Sequence, residues 1–447
     1  MSFDPKAFQS VLDSIPEYSS VPTMDEMNQR TFDLAKLRGD VMRVRTVGKS
    51  LSGDPIELIS MGHGERNFLL VGTPHPNEPV GCLTIEFLID HFLSNPGFLS
   101  ETGYTWHFVK SIEPDGVRLN EGWFRDPHNI ALYLTNFYRP AIDEQAEYDF
   151  PFSAENYSHE SKLPENLAYR EAIRLSQPDI LFSLHNAEMG GAYYYLSRDV
   201  GKLSAELSTH PARLGIPLDE IGEPTHQVGA FAPGVFQAMD MKSEVIQKDF
   251  RSGDSPFGFC KDRGTLGLVA EIPYWQRSAN TSLNAGATLN ELFAPLVDQI
   301  GAVNSLLAKH QRLLASAATA EERRLAGGVK AFIDFLPITI KFYADVPEGR
   351  FGLEAADAHC HTMSIIVLRP VAMMARLAQS LSREPTAVQA VAATACEELS
   401  AYLDTALRDD GIVGGLDPVP LRNSVGLQVL AALTAGFELN QAEPLSA

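Results

Sequence analysis

His75 and Glu78 lie in the stretch Val71-Gly72-Thr73-Pro74-His75-Pro76-Asn77-Glu78-Pro79-Val80-Gly81, which puts an imidazole and a carboxylate three residues apart on one turn. Such a pair can reach a single ion at roughly 2.0–2.2 Å. Farther along, His185 closes the apolar run Asp179-Ile180-Leu181-Phe182-Ser183-Leu184, and Glu271 closes Gly267-Leu268-Val269-Ala270. Two neutral imidazoles and one carboxylate make a catalytic zinc set, with a fourth position open to water. The ion lowers that water's pKa towards ~7, and a nearby carboxylate can accept its proton during attack on a carbonyl. Glu271 is placed for that base. Each residue also has a purely structural reading: a helix-start carboxylate beside a histidine, a core histidine bonded to backbone, half of an ion pair. Three polar residues that each end a run of apolar β-formers favour the metal.

The elements that must position them follow from periodicity. Residues 68–71 read as a short buried strand, and Val80, Leu83, Phe87, Leu88, His91 and Phe92 recur at helical spacing. Pro79 suits a first helical turn, where its missing N–H has no partner to lose. The turn therefore joins a strand's carboxyl end to a helix, which is where open α/β sheets place ligands. Residues 41–47 and 56–61 are expected as strands around the Gly- and Asp-Pro-containing turn 48–55. A strand at 106–109 and a helix at 164–176 follow. Residues 118–165 lack periodicity and are rich in Asn, Pro, Tyr and acids; a long loop of this kind in a compact domain is usually functional. Tyr193-Tyr194-Tyr195 reads as a strand lining the cleft. From about residue 284 the chain is helical, with a break near 343–352. The expected division is an α/β catalytic domain over 1–310 and a helical region over 311–447.

Composition limits the partners. The 447 residues are 45% hydrophobic and 21% charged, as in an ordinary folded protein. A formal charge of −21 argues against nucleic acid or an anionic membrane surface as partner, since both need basic patches. The four cysteines show no paired spacing and read as free thiols of a reducing compartment. The amino-terminal stretch has acids and no apolar core, so no secretory signal is expected there. The longest apolar stretch, near residues 363–377, is interrupted by Arg369-Pro370 and Arg376. The expectation is a cytoplasmic protein.

The segments GTPHPNEPVG, IEPDGVRLNEGWFRD, DILFSLHNAE and LGLVAEIPYW together resemble the zinc carboxypeptidase family, the carboxypeptidase A-like metallopeptidases. The resemblance spans roughly residues 35–300. It implies an α/β fold with a mixed, mostly parallel sheet flanked by helices, with the helical carboxy-terminal region as an addition. His75, Glu78 and His185 would bind zinc and Glu271 would be the general base. Arg125 would polarise the scissile carbonyl, with Arg118 as its competitor. The family's turn carries Asn-Pro-Asp-Gly where this chain has Glu113 before Pro114-Asp115-Gly116. Its adjacent Asn-Arg clamp for the substrate carboxylate is missing from Leu134-Thr135-Asn136-Phe137-Tyr138-Arg139, which leaves Asn136 and a displaced Arg139 as substitutes. Its mobile tyrosine falls on Phe250. Glu188 repeats the His-x-x-Glu spacing after His185 and reads as a pocket or surface acid, the alternative being a competing ligand or a partner of the ligands.

What the resemblance implies is a zinc-dependent hydrolase that cleaves an amide next to a free carboxylate, with altered carboxylate recognition, acting on a small peptide. The alternatives are a deacylase of N-acyl amino acids, which shares the zinc set, and a catalytically degraded zinc-binding protein. Retention of Glu271 speaks against the last, because a binder needs no base beside the zinc.

Overall fold

The computed structural model describes residues 3–153, 155, 157–222, 229–241, 252–278, 288–383, 385, 387–409 and 412–442. Its centre is a ten-stranded sheet. In chain order the strands are β1 (Met42–Lys49), β2 (Pro55–Met61), β3 (Arg66–Gly72), β4 (Tyr104–Val109), β5 (Ile180–Met189), β6 (Tyr193–Leu196), β7 (Ala230–Ala232), β8 (Val235–Gln237), β9 (Leu266–Arg277) and β10 (Leu416–Pro418). Their spatial order is β1-β2-β4-β3-β5-β9-β6-β8-β7, with β10 pairing onto β9. The sheet is mixed, as expected. Parallel pairing joins β4, β3, β5 and β9 at the centre, and β8 to β6. The remaining pairs are antiparallel.

The longer helices are α1 (Pro5–Asp13), α2 (Met24–Leu37), α3 (Val80–Ser94), α4 (Pro114–Asn120), α5 (Pro164–Ser176), α6 (Leu203–Arg213), α7 (Leu289–His310), α8 (Ala320–Ala344), α9 (Leu353–Ile366), α10 (Arg369–Arg383), α11 (Gln389–Arg408) and α12 (Leu421–Gln441). Successive side chains on a strand point to opposite faces. Leu69 and Val71 of β3 accordingly pack with Ala168 and Tyr169 of α5 on one face. Phe68 and Leu70 join the larger cluster of α3 and α12 on the other. The continuous apolar runs of β3 and β5 are those of strands covered on both sides.

The larger cluster runs from Phe8 of α1 to Leu439 of α12 and takes in Val371 of α10 and Leu399 of α11. Among the described residues this cluster includes side chains from both sides of residue 310. Helix α12 packs against α3 and α6, and β10 extends the sheet edge of β9. The apolar stretch Leu353–Arg383 is the pair α9 and α10, mostly buried inside the protein.

Register sets the site. Gly72 on β3 lies opposite Leu184 on β5, and Leu184 lies opposite Ala270 on β9. His185 and Glu271 form the next row. The chain leaves β3 at that same level through Thr73, held at φ 47 with its hydroxyl donating to Ser111 Oγ at 2.6 Å. Helix α3 must start close against the strands. A Cβ on Gly81 would stand 2.6 Å from Leu184 Cβ and 3.3 Å from Gly72 Cα, so only glycine permits this approach.

His185 and Glu271 do not end their strands, contrary to expectation. β5 continues to Met189 and β9 to Arg277. The apolar pattern stops because these side chains turn into the cleft, while the ladder continues with irregular register beyond Glu271.

Candidate metal centre

His75, Glu78 and His185 are all buried, with one ligand atom from each within 4.8 Å of the others. His75 Nδ1 is 3.0 Å from Glu78 Oε2 and 3.1 Å from His185 Nδ1. His185 Nδ1 is 3.0 Å from the same Glu78 oxygen. Two ligands on a tetrahedral zinc at roughly 2.0–2.1 Å stand about 3.4 Å apart, so the observed triangle is a few tenths of an ångström tighter than a zinc face. Two imidazole nitrogens and a carboxylate oxygen directed at one point suit a divalent cation. The donor set therefore fits zinc.

Burial, reinforced by the Arg139 guanidinium, pushes the His75 pKa down to about 4, so its imidazole is neutral and available as a ligand at ordinary pH. Burial acts in the same direction on His185, but the carboxylates of Glu147 and Glu271 outweigh it and raise its pKa well above the usual value. Burial of Glu78 would raise its pKa, but His75 and Arg139 pull it well below. The carboxylate is ionised.

Glu271 Oε1 lies 3.5 Å from His185 Nδ1, the nitrogen that faces the triangle, where a carboxylate can take a proton from a group held there. Arg139 is the one sequence-selected arginine that the fold brings to the cluster. Its Nη1 donates to Glu78 Oε1 at 2.9 Å and its Nη2 lies 3.0 Å from His75 Nε2.

Three other expected residues lie elsewhere. Arg125 is exposed and pairs with Glu26, because the chain after α4 turns back towards the start of α2. Arg118, in the last turn of α4, is held between Asp54 and Asp25. Asn136 caps the helix Ile130–Thr135, its Nδ2 donating to Leu132 O at 2.9 Å. None of the three reaches the cluster. Glu188 is neither a pocket nor a surface acid: it is buried at φ 67 and paired with Arg369. Phe250 lies outside the described residues.

The aperiodic loop supplies a residue that sequence reasoning missed. Glu147 is buried beneath both histidines, 3.2 Å from His185 Nε2 and 3.6 Å from His75 Nε2. It also accepts from Ser183 Oγ at 2.7 Å. On His185 the carboxylate at Nε2 holds that nitrogen's proton and turns Nδ1 towards the ligand triangle, whereas Nε2 of His75 also faces the Arg139 guanidinium. Glu113, the departure from the Asn-Pro-Asp-Gly pattern, accepts from the Ala146 N–H and so sets the position of Glu147. Nothing in the sequence separates Glu147 from Asp143, Glu144 or Asp149; a serine two residues before His185, inside an apolar run, is the available clue.

A cleft of about 60 Å³ opens on the cluster, lined by Tyr148, Tyr195, Met239, Phe257 and Val269 beside Glu147 and Glu271. A larger groove of about 610 Å³ holds Arg125 but shares no lining residue with this cleft. Its Arg30 is paired with Glu86 and Asp90. Size alone would select the wrong cavity.

Residues 27–193 match the model of the zinc carboxypeptidase family. The matched segment contains all three ligand candidates and Arg139, and stops before Glu271. The family is one of zinc hydrolases. Among solved structures, carboxypeptidase A from Helicoverpa armigera is 12% identical, with 62% of this chain and 72% of that chain covered and a TM-score of 0.38. A metallo-carboxypeptidase from Burkholderia cenocepacia is 16% identical, covering 57% and 62%, with a TM-score of 0.35. A murein-tripeptide amidase from Escherichia coli O157 is 16% identical, covering 52% and 88%, with a TM-score of 0.28. No curated protein sequence matches the chain.

Proposed function

We propose that this protein is a zinc-dependent amide hydrolase of the carboxypeptidase kind, in which a single displaced arginine holds the substrate's anionic group. The observation that carries the reading is the 3.0–3.1 Å triangle of His75, Glu78 and His185 with Glu271 on the adjoining strand in register with His185. His75, Glu78 and His185 would hold a zinc ion, which would supply Lewis acidity towards a carbonyl oxygen and lower the pKa of a water. Glu271 accepts the proton of the attacking water and returns it to the leaving nitrogen. Glu147 keeps His185 oriented through its Nε2. Arg139 binds the carboxylate beside the scissile bond, and the aromatic and methionine side chains of the cleft take an apolar group and exclude water.

Arg139→Ala tests the recognition. Losing a charge-assisted contact in a desolvated site costs about 2–5 kcal/mol, roughly a 30- to several-thousand-fold drop in kcat/KM. The assay is a panel of N-blocked dipeptides with apolar, basic and acidic carboxy-terminal residues, run beside N-acyl amino acids. Efficient release of ordinary carboxy-terminal residues by both wild type and Arg139→Ala would show that the arginine has no such role.

The small cleft favours a second reading, a deacylase of N-acyl amino acids, and the same panel separates the two. Cytoplasmic location belongs to this proposal. Cys82, Cys260, Cys360 and Cys396 are all free thiols, as a reducing compartment would keep them.

A further inference from the structure

We infer that the helices beyond the family-matched residues are part of the metal centre, with Arg369 as the positioning residue for the turn that carries Glu78. The inference rests on the zinc reading above. Glu188 follows His185 by three residues on β5 and is buried in a left-handed backbone conformation that few glutamates adopt. Its two oxygens accept from Arg369 Nη1, at the start of α10, at 2.7 and 2.6 Å. One of them also accepts from Asn77 Nδ2 at 2.6 Å, and Asn77 directly precedes Glu78.

Arg369 is itself held in place. Its guanidinium lies over the rings of Phe137 and Phe332, at 5.1 and 5.7 Å, and its Nε donates to Ile366 O. Phe137 is two residues before Arg139. Helix α8, which carries Phe332, presses on the same loop: a Cβ on Gly328 would stand 2.5 Å from Arg139 O. Helix α12 adds a second tie. Its fully buried Gln428 donates to His185 O at 3.1 Å and accepts from Thr84 Oγ1 of α3 at 2.6 Å. The turn bearing Glu78 and the strand bearing His185 are thus each tied to side chains from the carboxy-terminal helices. A charged pair shielded from water holds its partners more rigidly than an exposed one. Groups that orient metal ligands in this way change affinity about 10- to 100-fold when removed.

The test is zinc affinity, measured by chelator competition, together with the visible spectrum of the cobalt(II)-substituted protein and the thermal midpoint of the metal-free form. Arg369→Met leaves Glu188 buried without its cation, so the double variant Glu188→Gln/Arg369→Met, which removes both charges, carries the decision. We expect it to stay folded without metal, to bind zinc roughly 10- to 100-fold more weakly and to show shifted cobalt bands. Arg369→Lys should recover most of the affinity. Wild-type protein that takes up neither metal overturns the hydrolase reading itself. Wild-type uptake with unchanged affinity and spectrum in the double variant overturns only the positioning role. A double variant that cannot fold without metal also overturns it, since the contact would then hold the fold and not the site.

Discussion

Glu271→Gln is expected to retain zinc while turnover falls by ~10²–10⁴. Glutamine keeps the shape and the hydrogen-bonding reach of the side chain but cannot accept a proton. Glu271 lies in register with His185 on the adjoining strand and 3.5 Å from its Nδ1, so it is beside the ligands without belonging to the tight triangle. Loss of rate with retention of metal separates a base from a ligand. Glu147 is the other carboxylate near the site, but it faces the outer nitrogens of both histidines and is already bonded to Ser183. A Glu271→Gln variant that turns over substrate at the wild-type rate would move the base to another group.

His185→Ala should remove most of the zinc and, with it, the activity. Structural zinc sites bind with about 10–16 kcal/mol over four ligands, so one ligand carries roughly 2.5–4 kcal/mol, or about 10²–10³ in affinity. Affinity in the wild type should also weaken as the pH falls. Glu147 and Glu271 hold the pKa of His185 well above its usual value, so a proton occupies the imidazole in the metal-free protein and must leave when the metal binds. Chelator competition at two pH values reads both effects. Equal zinc retention by wild type and His185→Ala would remove His185 from the ligand set.

The ligand triangle is legible in the sequence because its signals are local. His75 and Glu78 share one turn, and His185 and Glu271 interrupt apolar runs that alternate faces in the sheet. The arginines are not. Distance from a turn selects Arg125 and Arg118, whereas their positions follow from which acids helix α2 and the β1–β2 turn present, namely Glu26, Asp25 and Asp54. Such pairing is long-range in sequence and leaves no periodic trace. Arg139 comes to the cluster because the loop after residue 135 folds over it under α8, a packing event that the loop's own composition does not encode. Glu147 is hidden for the same reason. The boundary expected at residue 310 rests on the change from mixed to helical pattern, and α12, from beyond it, buries most of its side chains in the cluster shared with the sheet.

The proposed hydrolysis is expected to depend on the metal. Purified wild-type protein, stripped of metal and titrated with zinc under elemental analysis, should take up one tightly held equivalent per chain and gain hydrolytic activity towards at least one member of the amide panel as it does so. Zinc bound at one equivalent with no hydrolysis of any amide would make this a binding protein on a hydrolase fold. No zinc retained at all would contradict the central claim.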